Sequence, residues 1–334
     1  MAASASARRP LPAIPPRLAG WAVALVPVLL LILLLAVFAV VDPRIAAPLN
    51  LRNILLQAVP IALLALSAHV VLLTAGIDLS AGYAVGLCGV VTAGHLSGGG
   101  GLAAAGLLGL GAVLAVGLGN GFLVGVTRLP PFIATLGMMT IVQGLTLLAA
   151  PQGMVLVEHG FLEALGQGSV LGVPVPLLVV AAVAAGLWFL MRRTTFGIRT
   201  YAYGSDEHAS TLAGVRRAPQ LLGVYAVAAV LVFLTTVMVI AQVPLVQPNL
   251  GGITLLLDAI AAAVIGGTSI FGGRGTVGGV LVGAVIIALL TNALQVFGVD
   301  PSAIDLFKGL IIITALVVDV AMRRLHRRVT EAPG

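Results

Sequence analysis

Asp78, Ser80, Asn120, Thr135, Thr140, Gln143, Gln242 and Asn292 stand inside stretches that are otherwise apolar. They bring carboxylate, hydroxyl and amide groups. Such groups hydrogen-bond reversibly to a neutral, hydroxyl-bearing molecule, and equally to one another across helices. They do not make a reaction centre. The chain has no GxxxxGK[ST] phosphate loop, no GxSxG or HExxH pattern and no paired cysteines. His69, His95, His159, His208 and His326 are scattered. No catalytic, cofactor-binding or metal-ligating set is therefore expected in this chain.

Asp78 is the most telling of these residues, because an ionised carboxylate at membrane depth costs about 2.5–3.5 kcal/mol. In "GIDLSAG" (76–82) two glycines flank a short break, and Asp78 can cap the next helix by accepting its first N–H groups. Capping and direct contact with a solute both stay open for it. Asp258 either lines a path or pairs within the bundle. His69 either serves a site or bonds a neighbouring helix.

The surroundings of these residues are set by composition. Of 334 residues, 60% are hydrophobic and 8% charged, and the mean hydropathy is +1.17. So few charges cannot cover a globule in water. The solvent for most of the chain is lipid. The apolar runs are continuous rather than alternating, which indicates helices and not a barrel. The polar breaks delimit ten spans near 18–41, 51–73, 79–96, 102–126, 131–149, 172–190, 219–242, 253–270, 277–297 and 303–321. The 42 glycines suit close helix approach in a bilayer, and the lone Cys88 reads as a small buried hydrophobe.

Placing the N-terminus inside puts 14 of the 17 basic residues on the inner face and Arg44, Arg52 and Lys308 outside. That asymmetry sets the orientation, with both termini cytoplasmic, and makes nucleic-acid binding an unnecessary reading of the pI of about 10.4. The expected layout is a cytoplasmic tail over 1–17, one membrane domain over 18–321 and a basic tail over 322–334. Its inner loop, 191–218, is dense in charge. Residues 192–217 hold seven of the chain's 28 charged side chains. There Gly197 and Gly204 permit turns, Ser205 and Asp206 can cap, and Glu207–Leu212 reads as a short helix stopped near Gly214.

Asn120 lies ten residues before Pro130 and seventeen before Gly137; Asn292 lies nine before Pro301 and seventeen before Gly309. The two passages face opposite sides, which suggests inverted repeats of spans 2–5 and 7–10.

Five stretches carry a resemblance. They are "GIDLSAG" (76–82), "RLPPFIATLGMMTIVQGL" (128–145), "TTFGIRTYAYGSDEHASTLAGV" (194–215), "AVIGGTSIFGGRGTVGG" (263–279) and "FKGLIIITALVVD" (307–319). Together they resemble the permease subunits of bacterial ATP-binding cassette importers of the ribose and simple-sugar type. The resemblance implies a bacterial inner-membrane protein that is not itself an enzyme. It implies a pair of ATP-binding subunits that hold ATP and Mg, a periplasmic binding protein, and a second permease subunit, identical or similar. It makes 194–215 the coupling loop that docks into the ATPase, with Gly197, Gly204, Glu207, Ala209 and Gly214 at its matching positions. It makes the cargo a small sugar, with a sugar-derived signal molecule or a nucleoside as alternatives. A self-powered secondary transporter is the competing class, for which Asp78, Asp258 and His69 are the only material.

Overall fold

The computed structural model describes residues 16–150, 153–300, 303–304, 306–310, 313 and 314, with side chains from residue 25 onward. The expected tail over 1–17 and the tail after 322 thus lie almost wholly outside the described residues, and the span 303–321 lies partly so. Within them the chain is helical, with only four two-residue strands. Six helices are long and apolar enough to cross a membrane: α2 (Pro48–Leu72), α4 (Leu102–Gly125), α5 (Pro131–Ala149), α7 (Val175–Arg193), α10 (Arg217–Gln242) and α12 (Val277–Val296). To these are added α1 (Pro16–Val41) and the short apolar helices α3 (Ala81–Ser97) and α11 (Gly252–Ile265). Residues 303–304, 306–310, 313 and 314 are also helical.

The breaks between helices gather at two ends. At one end the Gly273 N–H donates to the Leu73 carbonyl (2.9 Å), and Arg217 donates to the Val124 carbonyl (3.1 Å). At the other, β1 (Val155–Leu156) pairs antiparallel with β4 (Leu245–Val246), and Gln242 donates to the Leu56 carbonyl. Arg128, Arg192, Arg193, Arg199, Arg216, Arg217 and Arg274 all fall in segments of the first end, and Arg52 stands at the second beside Gln242. The second end carries α6 (Gly160–Gln167), capped by the His159 ring, and the hairpin of β2 (Ser169–Val170) with β3 (Val173–Pro174).

Neither α3 nor α11 spans about 30 Å at 1.5 Å per residue. Each starts inside the bundle, after a non-helical stretch: 73–80 before α3, 243–251 before α11. The two starts meet. A Cβ on Gly82 would lie 2.2 Å from the Gly252 carbonyl oxygen, and one on Gly86 2.7 Å from that of Pro248. Around this crossing α4 packs on α10 as α12 packs on α2, and α3 packs on α4 as α11 packs on α12.

Lys308 is buried, and its Nζ donates to Asp258 Oδ2 at 2.9 Å. This resolves the reading of Asp258 in favour of pairing.

The crossing can be tested by crowding it. Gly82→Val should lower stability by about 1–3 kcal/mol through overpacking, read as a fall in the thermal midpoint of the detergent-solubilised chain. Gly94→Val on the same helix, where a Cβ meets nothing within 4 Å, should leave the midpoint nearly unchanged.

Candidate functional site

Inside a membrane the first N–H groups of α3 need an acceptor, and water is not at hand. Asp78 supplies it. Its Oδ1 accepts from the Ser80 N–H (2.9 Å) and the Ser80 hydroxyl (2.6 Å). Asn120, from α4, donates to Ser80 Oγ at 2.8 Å and more loosely to Asp78 Oδ1 at 3.4 Å. Thr135, in the second turn of α5, donates to the Ile77 carbonyl at 2.9 Å. Four residues named from sequence, Asp78, Ser80, Asn120 and Thr135, thus converge on one break. Ser80, Asn120 and Thr135 are all 0% exposed.

Sequence reading missed the fifth member, Tyr225 of α10. A Cβ on Gly76 would lie 3.5 Å from its hydroxyl, which faces the break. Tyr225 Oη and Asn120 Oδ1 are buried without a partner among the described residues. Its signal in the sequence was a lone tyrosine inside an apolar span, which reads as core.

The other candidates lie elsewhere. Asn292 accepts from Asn50 Nδ2 (2.8 Å), and Asn50 also donates to the Ile45 carbonyl, so this amide pair sits at the opposite end. Gln143 and Thr140 lie on the exposed face of α5. His69 Nδ1 is 2.8 Å from Thr268 Oγ1, within the bundle.

The charged inner loop folds into two helices, α8 (Thr195–Ser205) and α9 (Glu207–Leu212). Asp206 caps α9 by accepting the Ala209 N–H at 2.8 Å, and Gly214 at φ +88° ends the turn that follows. Gly197 and Gly204 are not turn residues, because both lie within α8. They are needed for close approach. A Cβ on Gly197 would sit 2.2 Å from the Met191 carbonyl oxygen. One on Gly204 would sit 1.7 Å from the Leu73 oxygen and 2.8 Å from the Gly273 nitrogen. Gly272 and Gly273, both at positive φ, pack back on Gly204 and Ser205. The Tyr201 hydroxyl donates to the Gly275 carbonyl at 3.0 Å.

The inner segment therefore touches the end of α2 directly, six residues or fewer before Asp78. A second tie runs through charge: Glu207 pairs with Arg217, and Arg217 donates to Val124, one turn beyond Asn120 on α4. Tyr203 is buried beside Glu207; burial first, then the carboxylate, pushes its phenol well above the usual range, so it stays a donor. Ala209, Leu212, Ala213 and Gly214 remain exposed.

Residues 50–316 match the family described as branched-chain amino acid transport system / permease component. The chain belongs to that permease family. The ribose import permease RbsC of Bacillus subtilis is 37% identical over 296 residues, covering 88% of this chain and 91% of the relative. RbsC of Escherichia coli K12 is 34% identical over 297 residues, covering 86% and 91%. The fructose import permease FrcC of Rhizobium meliloti is 33% identical over 313 residues, covering 90% and 86%. No solved structure matches. The permease is thus an integral protein of the bacterial inner membrane, a transport component rather than a catalyst.

If Asp78 holds the start of α3, Asp78→Ala should lower stability by about 1–3 kcal/mol, since it leaves buried donors unpaired. Thermal unfolding in detergent reads this. Gln143→Ala on the exposed face of α5 should unfold with the parent, and a stable Asp78→Ala would remove the capping role.

Proposed function

We propose that this permease forms the translocation path for a small sugar of the ribose type. A periplasmic binding protein delivers the cargo, a second permease subunit completes the pore, and a pair of ATP-binding subunits drives it. The observation that carries this reading is the 37% identity with a ribose import permease over 88% of the chain. Relatives named for fructose, D-allose and galactofuranose, at 32–33% identity, support a sugar cargo. The family description names branched-chain amino acids instead. Of the path candidates, Asp78, Ser80, Asn120 and Thr135 meet at the break, while Gln143 and Asn292 lie apart from it; one carboxylate among hydroxyl and amide groups suits a polyol, which carries no charge to be matched. The only lysine already holds Asp258.

In this reading α8 and α9 dock the ATPase. ATP and Mg belong to that partner. Ala209 and Leu212 offer the exposed face, while Gly204 and the Glu207–Arg217 pair anchor its base. Movement at the docking face is passed through Gly204 to Leu73, and through Arg217 to α4, onto the break that Asp78 closes. We also read ten spans with both termini inside, and α2–α5 and the helices from α10 onward as inverted repeats. The exchanged packing of α4–α10 with α12–α2 supports the repeat.

Vesicles containing the permease, its ATPase and its binding protein should take up labelled ribose only with ATP. Leucine uptake in place of ribose would overturn the sugar cargo, and ion-driven uptake by the chain alone would overturn the partner requirement. Ala209→Glu and Gly214→Asp should each reduce uptake by about five- to 150-fold, the scale of a 1–3 kcal/mol coupling energy. ATPase activity should persist. A variant with normal uptake would remove the docking role.

A further inference from the structure

We propose that the inner end of the permease carries a binding site for the headgroup of an anionic phospholipid, in the cavity between α1, α7, α8 and α12. The cavity measures about 430 Å³, and its lining comes in two layers. Arg192, at the end of α7, and Gly278, at the start of α12, form the layer nearest the helix ends, taken here as the mouth. Trp188 lies one turn back on α7, and Val282 one turn on along α12, with Val28 of α1 beside them. One helical turn is about 5.4 Å, so a phosphate at the mouth would place its glycerol and first methylenes against the apolar layer. A free phosphate would have nothing to match that layer.

Arg192 is exposed and forms no ion pair among the described residues. Its guanidinium rests over the Tyr201 ring, 6.0 Å from the centroid, and Arg193 rests over Trp188 at 5.7 Å. Stacking fixes the plane of the Arg192 fork and leaves its N–H groups for a bidentate phosphate contact. The carboxylates on the neighbouring inner segments, Asp206 and Glu207, are an N-cap and a partner of Arg217. Among the described residues no carboxylate pairs with Arg192. Aromatic rings beside arginines are also what headgroup depth selects. A Cβ on Gly278 meets nothing within 4 Å, so the headgroup can approach the backbone of α12.

The site shares a wall with the inner junction, because the Tyr201 side chain that backs Arg192 also donates to Gly275. The outer end offers a contrast. A cavity of about 360 Å³ there holds Arg52 among Gln57, Gln167 and Gln242, with no aromatic ring in its lining.

The test is native mass spectrometry of the full-length permease released from bilayers of equal phosphatidylcholine and phosphatidylglycerol. The parent should retain phosphatidylglycerol over phosphatidylcholine at least about fivefold, the ratio that roughly 1 kcal/mol per arginine gives. Arg192→Gln should bring that ratio near one, and Arg52→Gln should leave it unchanged. Retention by Arg192→Gln equal to the parent, or an equal loss in Arg52→Gln, would overturn the site. A large excess of inorganic phosphate should not displace the lipid; displacement would show a free-phosphate site and overturn the lipid assignment.

Discussion

The constraint on which the rest depends is that two helices begin inside a low-dielectric bundle. A helix start exposes N–H groups, and in hydrocarbon each unpaired one costs several kcal/mol. At α3 the acceptor is a carboxylate, Asp78, set where the positive end of the helix dipole favours it. Asn120 from α4 and Thr135 from α5 complete the arrangement. The break is therefore the point where three helices and the end of α2 are held together by polar bonds. An ordinary span could slide or tilt without disturbing its neighbours. This one cannot.

The same constraint explains the distribution of glycine at the inner end. Backbone at Gly204, Leu73 and Gly273 approaches so closely that no side chain fits between. Close packing of backbone on backbone has two consequences. It gives the contact little slack, since protein interiors are dense and only weakly deformable. It also makes the contact depend on shape rather than charge, so it survives in the membrane interface where ion pairs are weakened by water. The charged residues of α9 do different work. Glu207 with Arg217 fixes the short helix to α10, while Asp206 satisfies its first turn.

Much of this was legible in the sequence. Hydropathy located the long helices, because a continuous apolar run of some twenty residues has few other uses. Helix α9 was legible to the residue, since an aspartate cap and a glycine stop are local signals. Asp78 stood out because a carboxylate in an apolar run is expensive. What stayed hidden was tertiary. Gly204 looked like a turn residue, yet its lack of a side chain serves contact with Leu73, 131 positions earlier in the chain. Tyr225 and Lys308 look like ordinary residues of their spans until the folded chain brings Gly76 and Asp258 against them. Gln143 and Asn292 resembled Asn120 by type, but the face of a helix in a bundle is not fixed by residue type when most of its faces are apolar.

The buried charges bear on how such a chain is powered. A self-sufficient transporter needs a titratable or ion-binding group that changes state and is linked to the solute path. Asp258 is held by Lys308 in a pair of which both members are nearly buried, and breaking such a pair leaves an uncompensated charge. Asp78 is committed to a helix start and its ring of hydroxyl and amide donors. His69 bonds Thr268, beside the Gly275 backbone of the loop that meets α8. Each of the three groups serves a joint between helices, and among the described residues no bond links one to another. Groups arranged this way favour a scaffold that is moved from outside over one that runs a proton or ion through its core. The inner surface, where α8 and α9 stand on an exposed face, is where that movement would enter.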